Sequence, residues 1–367
     1  MLAALRSRFD VRVEGNLFGP ALHRALAGAR VVVNIHYYEG ALLETTRIYE
    51  CLSLGIPVVS ETSVDMAEHE HLASAVRFVP IGDTNALADA VQDALDSVQT
   101  SGAEALPEVM IKSDRHFRFM LFRALYALRM ISHAQWMALT AQTPLPGNTL
   151  ALSLPETPKR RNAFLQVRPP AVEVFDGLRY SPGWVGCALS YKYLAQRALD
   201  AHWPRLEVME DDVLFPHDYA ERKAVVDAYL VEREGHWDVF VGLIALLHPD
   251  TQVLNVERRD GVTFVMVDRM ISMVHNVYAR SALRLLSTWD ETNRDADVNT
   301  IDRHLQSSRQ LRVVTTLPFL VGHHEDLHSS LWGVQNTQYR DLIATAQADL
   351  EVKVLAFEMG ASARPGH

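Results

Sequence analysis

Short runs of β-branched residues alternate with helical patterns over the first hundred residues, and this alternation constrains the fold most. It predicts strands at Val11–Val13, Val31–Ile35, Ile56–Ser60 and Val76–Val79. It predicts helices at Pro20–Ala29, Ala41–Leu54, Met66–Ala75 and Asn85–Val98. Such alternation is typical of βα units around a parallel sheet. Residues 1–103 are therefore predicted to form a Rossmann-type half-domain, and we expect a partner half upstream of Met1 because complete doubly wound domains carry more strands.

A second α/β unit is predicted over residues 149–345. Its predicted strands are Leu150–Leu154, Val172–Phe175, a run that starts near Arg205 and ends in the acidic triplet, Asp238–Leu243 and Leu311–Val321. Its predicted helices are Gly186–His202, Asp218–Glu234, Ser281–Trp289 and Asn299–Ser307. A hairpin is predicted to turn at Arg259–Gly261, because Asp-Gly between apolar runs is a strong turn signal. Residues 346–367 are assigned to a C-terminal tail.

Residues 104–148 are predicted to be a helical bridge and linker between the two units. The segment Glu104–Gln142 interleaves aromatic and basic residues with helical spacing, and Thr143–Asn148 has a linker composition. One interpretation is a helix with a buried apolar stripe, and the other is a peripheral contact with anionic lipid.

Composition limits the classes of partner. The chain of 367 residues has 48% hydrophobic and 22% charged residues, as globular proteins do, and a formal net charge of −10 that argues against general nucleic-acid binding. Its two cysteines, Cys51 and Cys187, are predicted to be reduced thiols. No apolar run reaches the length of a membrane span, so we expect a cytoplasmic protein, at most peripheral at the inner membrane.

Three adjacent carboxylates, Glu210, Asp211 and Asp212, follow the predicted strand that begins at Arg205. Because burying an unpaired carboxylate costs several kcal/mol, such a cluster is expected at an exposed strand end. A divalent metal such as Mg²⁺ or Mn²⁺ could neutralise it, and the alternative is a solvated turn. The later run Gly322–His328 places histidines beside acids at another strand end, where one histidine, such as His323, could complete a metal shell.

Several blocks of the second unit occur in a family-like order. They are the Leu-Ser-Leu-Pro strand, the basic turn Lys159–Arg161, Val174–Gly177, Gly183–Ser190, the acidic triplet, Trp237–Val239, Asn276–Ala282, Thr300–Leu305 and Ser329–Ser330. From Thr149 to Gly333 the chain resembles glycosyltransferase family 25, the lipooligosaccharide and collagen galactosyltransferase group. This resemblance implies a GT-A-like mixed α/β fold, a UDP-sugar donor, a metal-bound diphosphate and inversion at the anomeric carbon.

The resemblance also implies roles for particular residues. Asp212, helped by Asp211 and Glu210, would hold Mn²⁺ or Mg²⁺ against the diphosphate. Asp302 would be the general base, with Glu325 and Asp326 next in order, although Asp302 could instead only cap or salt-bridge its helix. The residues expected to contact the nucleotide-sugar are Arg160, Arg161, Asp176, Gly177, Gly186 and Ser190.

The first unit carries a second resemblance. Tyr38–Gly40, Glu44 and Glu50–Ser60 are similar to the nucleotide-binding half of GT-B glycosyltransferases, in which glutamates contact the donor. Glu44 and Glu50 are the candidate donor contacts. Their spacing departs from that family's pattern, so a vestigial or structural half-domain is the alternative interpretation.

These features together predict a metal-dependent hexosyltransferase. It would move a hexose, galactose by family association, from a UDP-sugar to a carbohydrate hydroxyl in lipopolysaccharide biosynthesis or in another surface glycan. Two other classes stay open. One is a non-catalytic nucleotide-sugar or glycan-binding module, and the other is a metal-dependent phosphoester hydrolase that uses the triplet and the histidine run.

Overall fold

A computed structural model describes residues 1–38, 40–100, 108–141, 143–307, 311–324 and 339–362. The chain is mixed α/β and forms two compact units, Met1–Leu121 and Phe122–His367. The boundary between them falls inside the segment predicted to be a bridge. No helix in the described ranges is both long enough and apolar enough to cross a membrane.

The first unit contains a three-stranded parallel sheet. Its strands are β1 Val32–Asn34, β2 Val58–Glu61 and β3 Val76–Val79, in that spatial order. Its helices are α1 Leu2–Arg8, α2 Pro20–Ala27, α3 Thr45–Ser53 and α4 Thr84–Thr100, with α5 Glu108–Ala127 running through the unit boundary. Two clusters of buried apolar side chains, one including Ile48 and the other Leu87, cover the two faces of this sheet.

Two predictions for the first unit are wrong. Val11–Val13 is not a strand, because Val13 is 60% exposed and no neighbouring strand of the described chain pairs with it. Met66–Ala75 forms two short 3₁₀ helices, Met66–Glu68 and Glu70–Ser74, rather than one α-helix. The strand predicted at Val76–Val79 is confirmed.

The second unit is built on an eight-stranded mixed sheet. Its main strands are β4 Thr149–Ser153, β5 Glu173–Asp176, β6 Arg205–Glu210, β8 Val239–Val241, β9 Val253–Arg259, β10 Val262–Val267, β11 His275–Ala279 and β12 Val313–Leu317. Two short strands, β7 Val213–Leu214 and β13 Gly322–His323, form a separate ribbon. The helices are α6 His133–Thr140, α7 Pro158–Val167, α8 Gly183–Asp200, α9 Tyr219–Glu232, α10 Arg280–Ser287, α11 Ala296–Asn299, α12 Ile301–Ser307 and α13 Tyr339–Ser362.

The spatial order of the large sheet is β5-β4-β6-β11-β8-β12-β10-β9. β4 pairs in parallel with both β5 and β6, whereas β11 is antiparallel to its neighbours β6 and β8. The central strand β8 is buried along its whole length, as expected for a strand covered on both faces. The predicted hairpin between β9 and β10 is confirmed, and Asp260 and Gly261 both have the positive φ angles that such a turn needs.

The predicted bridge and tail differ from the observed elements. Residues 108–141, the described part of the segment Glu104–Gln142, contain two helices rather than one. The chain turns at Arg129, which has a φ of 59°, and Ser132 then caps α6 through a capping box with Gln135. Residues 346–362, assigned to a tail, belong to α13. This helix buries Ala346, Leu350 and Val354, so it is part of the second unit's core.

Candidate active site

The candidate site lies at the carboxyl ends of β4, β5 and β6. The chain leaves β4 for β5 on one side and returns to β6 on the other, so the strand order reverses beside β4. Ligands of open α/β sheets bind in the crevice at such a switch point. A cavity of about 1220 Å³ opens there, and its wall includes Ser153, Glu210, Asp211 and Asp212.

Asp211 and Asp212 of the acidic triplet are buried and Glu210 is partly buried, so the expectation of an exposed strand end is wrong. Asp211 is 4% exposed and Asp212 is 3% exposed. Both aspartates have protein partners. Ser153 Oγ donates to Asp211 Oδ2 at 2.6 Å, and Arg160 Nε donates to Asp211 Oδ1. Arg160 Nη2 lies 3.0 Å from Asp212 Oδ2. Burial is possible because the guanidinium supplies the opposite charge, as buried ion pairs require.

Arg160 reaches the triplet from helix α7, and the predicted basic turn is therefore wrong. Pro158 stands in the first turn of this helix, where its fixed φ favours helix initiation, so Lys159, Arg160 and Arg161 are helical. The Arg160 side chain is 11% exposed. Burial opposes its charge, but Asp212 and Asp211 together raise the pKa of Arg160 above its usual value.

His323 approaches the triplet through the small ribbon. β13 pairs antiparallel with β7, which directly follows the acidic residues, and this register sets His323 opposite Val213. His323 Nε2 lies 3.0 Å from Asp212 Oδ2. Although burial opposes the charged form, Arg160 and His323 lower the pKa of Asp212. The structure thus places one histidine of this run beside the triplet, in contact with Asp212.

Glu210 lies in the cavity wall beside Cys187, whose Sγ is 3.9 Å from Glu210 Oε1. Burial and the neighbouring charge of Asp212 raise the pKa of Glu210 to about 8. Burial also raises the pKa of the Cys187 thiol well above its ordinary value, so this cysteine is not an activated nucleophile. Both cysteines are free thiols, as predicted.

Asp302 lies in the same cavity wall, in the first turn of α12. Glu210 lines the same cavity, and the charge of Asp302 adds to the effects of burial and of Asp212 that raise the pKa of Glu210. Asp302 Oδ1 accepts a hydrogen bond from the backbone N–H of Arg303 at 2.9 Å. The other two base candidates, Glu325 and Asp326, lie outside the described residues.

The remaining predicted contacts of the nucleotide-sugar divide into two groups. Gly177 lines the cavity, and Ser190 lines it while its hydroxyl accepts from Leu178 N and donates to Gly186 O. Arg161 instead pairs with Asp176, and Gly186 packs against backbone: a Cβ there would lie 2.4 Å from Leu178 O. The structure therefore gives Gly186 a packing role and the Arg161–Asp176 pair a position beside the site.

Arg123 is a site residue that the sequence analysis missed. It stands in α5, in the part that belongs to the second unit, and its side chain is 4% exposed. Its guanidinium donates twice to Glu156 at 2.7 Å and its Nε donates to Gly177 O at 2.7 Å, so it ties the loops after β4 and β5 together. One arginine among the basic residues of an amphipathic helix gave no signal for this role.

Tyr180 forms a second feature that the sequence did not reveal. Its ring, in the cavity wall, has the guanidinium groups of Arg129 and Arg294 each 5.3 Å from its centroid. Such cation–π contacts hold arginines near a cavity without neutralising them. Only the fold brings these three residues together, because they are far apart in the sequence.

The first-unit candidates make local side-chain contacts. Glu44 pairs with Arg47 at 2.5 Å, and Glu50 pairs with His23 at 3.0 Å. A different acid, Glu61 at the end of β2, is buried and accepts from the backbone N–H groups of His36 and Gly82. Glu61 thus fixes two loops of the first unit, and the contacts of Glu44 and Glu50 are local ones to neighbouring helical residues.

The ligand set expected for a divalent metal does not fit the observed arrangement. In the parts of the chain that the structure describes, no three His, Cys, Asp or Glu side chains form a group that could hold a metal ion. The two aspartates direct oxygen atoms at Arg160 instead, and a guanidinium has no lone pair to offer a metal. Comparison with known proteins adds no family: no family model matches this chain, and no curated protein is significantly similar to it.

Proposed function

We propose that the second unit is a glycosyltransferase that transfers a hexose from a nucleoside-diphosphate sugar to a carbohydrate hydroxyl. The observation that carries the proposal is the buried Asp211–Asp212–Arg160 group, placed at the switch point of the sheet and open to a cavity of about 1220 Å³. Pockets of ligand-binding size are roughly 300–1,000 Å³, so this cavity has room for a nucleotide-sugar together with part of an acceptor.

The order and direction of the strands support a GT-A-like interpretation of this unit. A parallel group, β5-β4-β6, carries the charged residues at its carboxyl edge, and the antiparallel β11 separates it from the rest of the sheet. The family 25 resemblance adds the detailed proposal: a UDP-hexose donor, galactose by association, inversion, and a surface glycan such as lipopolysaccharide as acceptor. Association with the inner membrane would follow from that acceptor.

Asp302 is the proposed general base. An inverting transfer needs a carboxylate that can take a proton from the acceptor hydroxyl while the diphosphate leaves on the opposite side of the sugar. Asp302 stands on α12 in the wall of the same cavity, on a different element from the acidic triplet, and this placement supports a separate acid-base role. Its hydrogen bond to Arg303 N orients the carboxylate.

The test is release of UDP from a panel of UDP-sugars by the full chain, with and without carbohydrate acceptors. We expect Asp302→Asn to slow transfer by about 10²–10⁴-fold, the usual contribution of a general base, and to leave donor affinity unchanged. Asp250→Asn is the matched control, because this aspartate side chain is 79% exposed on a loop outside the cavity wall.

Other outcomes would favour the other two classes. Tight UDP-sugar binding without turnover on any acceptor would favour a binding module. Cleavage of simple phosphodiesters without a sugar acceptor would favour a hydrolase. Unchanged transfer by Asp302→Asn would remove Asp302 from the proposal and leave Glu325 and Asp326 as the base candidates.

A further inference from the structure

We propose that Arg160 is the cation that binds the donor diphosphate, and that Asp211 and Asp212 position Arg160 rather than a metal ion. This inference rests on the proposed function and concerns the same cavity. It replaces the expected metal with a side chain of this protein, and it changes the role of the two aspartates from ligands to positioning residues.

The first step of the argument is the geometry of the guanidinium. Arg160 faces Asp211 with its Nε and Asp212 with its Nη2. A guanidinium carries five N–H donors in a planar fork, so these two contacts leave donors for another anion. Because Arg160 also lines the cavity, a ligand there can reach it.

The second step is the way in which the two aspartates are held. Ser153 donates to Asp211 at 2.6 Å, and His323 contacts Asp212 at 3.0 Å. Ser153 holds the oxygen of Asp211 that does not face Arg160, whereas His323 contacts the same oxygen of Asp212, Oδ2, as Arg160 does. Fixing both acids fixes the plane of the guanidinium, and a preorganised cation loses little entropy when a phosphate binds.

The third step is the charge around the rest of the cavity. Arg179 and Arg303 line the same cavity and are exposed. The wall also carries the acids Glu156, Asp297 and Asp302, so an anion bound at Arg160 has both cations and carboxylates within the same space. Arginines recognise phosphate oxygens bidentately, which suits a diphosphate that carries several such oxygens.

The experiment measures UDP binding to the full chain by calorimetry, in chelator and in Mn²⁺, with Mn²⁺ alone as a second titrant. We expect UDP to bind in chelator with an affinity within about twofold of that in Mn²⁺, because no step of recognition uses the metal. Arg160→Lys should weaken UDP binding by about tenfold or more, because a lysine cannot reproduce the planar fork.

The matched control is Arg312→Lys. Arg312 also pairs with a buried aspartate, Asp238, through Nη2 at 3.0 Å, but it lies outside this cavity. Its variant should keep the UDP affinity of the original chain. Equal losses in both variants would show a general effect of the substitution on folding and would overturn the specific role of Arg160.

A double-mutant cycle tests the positioning role of the aspartates. Asp212→Asn should weaken UDP binding in chelator, and its combination with Arg160→Lys should lose little more than Arg160→Lys alone, because the aspartate acts through the arginine. Additive losses would contradict this coupling.

Two results separate this inference from the proposed function. UDP binding that requires Mn²⁺, with Mn²⁺ binding abolished by Asp212→Asn, would overturn the role of Arg160 and leave the glycosyltransferase proposal standing. Absence of UDP binding under both conditions would overturn both.

Discussion

Buried acids occur at two places along β6 and the turn that follows it, and they differ in what surrounds them. Glu207, in the middle of the strand, contacts His275 Nε2 at 2.8 Å and Lys223 Nζ at 3.1 Å. Asp211 and Asp212, just past the end of the strand, contact Arg160. Only the second group opens into the large cavity. The comparison teaches that burial and ion pairing do not by themselves identify a functional acid, whereas access to a cavity does.

The Glu207 group is closed by packing. His275 is fully buried, and Gly242 is pressed against its ring so closely that an added Cβ would lie 2.5 Å from Nδ1. Although burial opposes ionisation, His275 and Lys223 lower the pKa of Glu207 to about 2. The protein therefore supplies every partner that this charge needs, and we assign the group a role in stability.

The largest effect is expected for Glu207→Ala. Removing Glu207 leaves the buried charge of Lys223 without this partner, and breaking a buried ion pair in this way costs about 3–5 kcal/mol of unfolding free energy. Urea denaturation of the full chain measures this loss, with the exposed Glu232→Ala on α9 as control. A loss no larger than that of the control would mean that the group does not stabilise the fold and that the contrast with the triplet is unfounded.

The pH dependence of stability is the next test. The pKa of Glu207 falls from its ordinary 4.5 to about 2 in the folded chain, so its stabilisation is complete above pH 4.5 and is lost as the pH falls towards 2. The shift corresponds to about 3 kcal/mol. Denaturation curves at several pH values should show a flatter dependence for Glu207→Gln, which cannot titrate. Parallel dependences for the two proteins would contradict the assignment.

Asp212→Asn should cost less stability than Glu207→Ala. The substitution removes a charge but leaves Arg160 paired with Asp211 and next to a cavity, so we expect a loss of about 1–3 kcal/mol. The same variant should lose UDP affinity, whereas Glu207→Gln should retain it. Urea denaturation measures the stability of both variants, and calorimetry measures their UDP affinity. Equal UDP affinities in the two variants would contradict the difference proposed between Asp212 and Glu207.

The sequence predicted the α/β class and most element positions because hydrophobic periodicity is a local property. It missed the contacts of Arg160 and Arg123, because both depend on which helix packs over the carboxyl edge of the sheet. The basic turn illustrates the reason: Lys159–Arg161 was predicted as a turn, yet Pro158 begins a helix there and carries Arg160 onto the acids. Tertiary packing, rather than local pattern, decided the partner of the triplet.

The candidate site residues also differ in whether local pattern or tertiary packing determines their contacts. The triplet and His323 lie together because β13, which carries His323, pairs with β7 directly after the acidic residues. Ser190 and Gly186 were singled out within a family-like block, but their observed contacts hold the start of α8 against the loop after β5. The sequence motif thus identified residues near the cavity, but it did not distinguish residues that could contact a ligand from residues that pack the cavity wall.

The smallest effect is expected at the exposed edge of the Glu207 group. Asp227 pairs with Lys223 at 2.8 Å, one helical turn along α9, and its side chain is 42% exposed. Solvent competes for such a pair, so Asp227→Asn should cost less than about 1 kcal/mol by urea denaturation. A loss as large as that of Glu207→Ala would mean that Lys223 depends mainly on Asp227. Lys223, rather than Glu207, would then be the residue whose ion pairs stabilise this part of the fold.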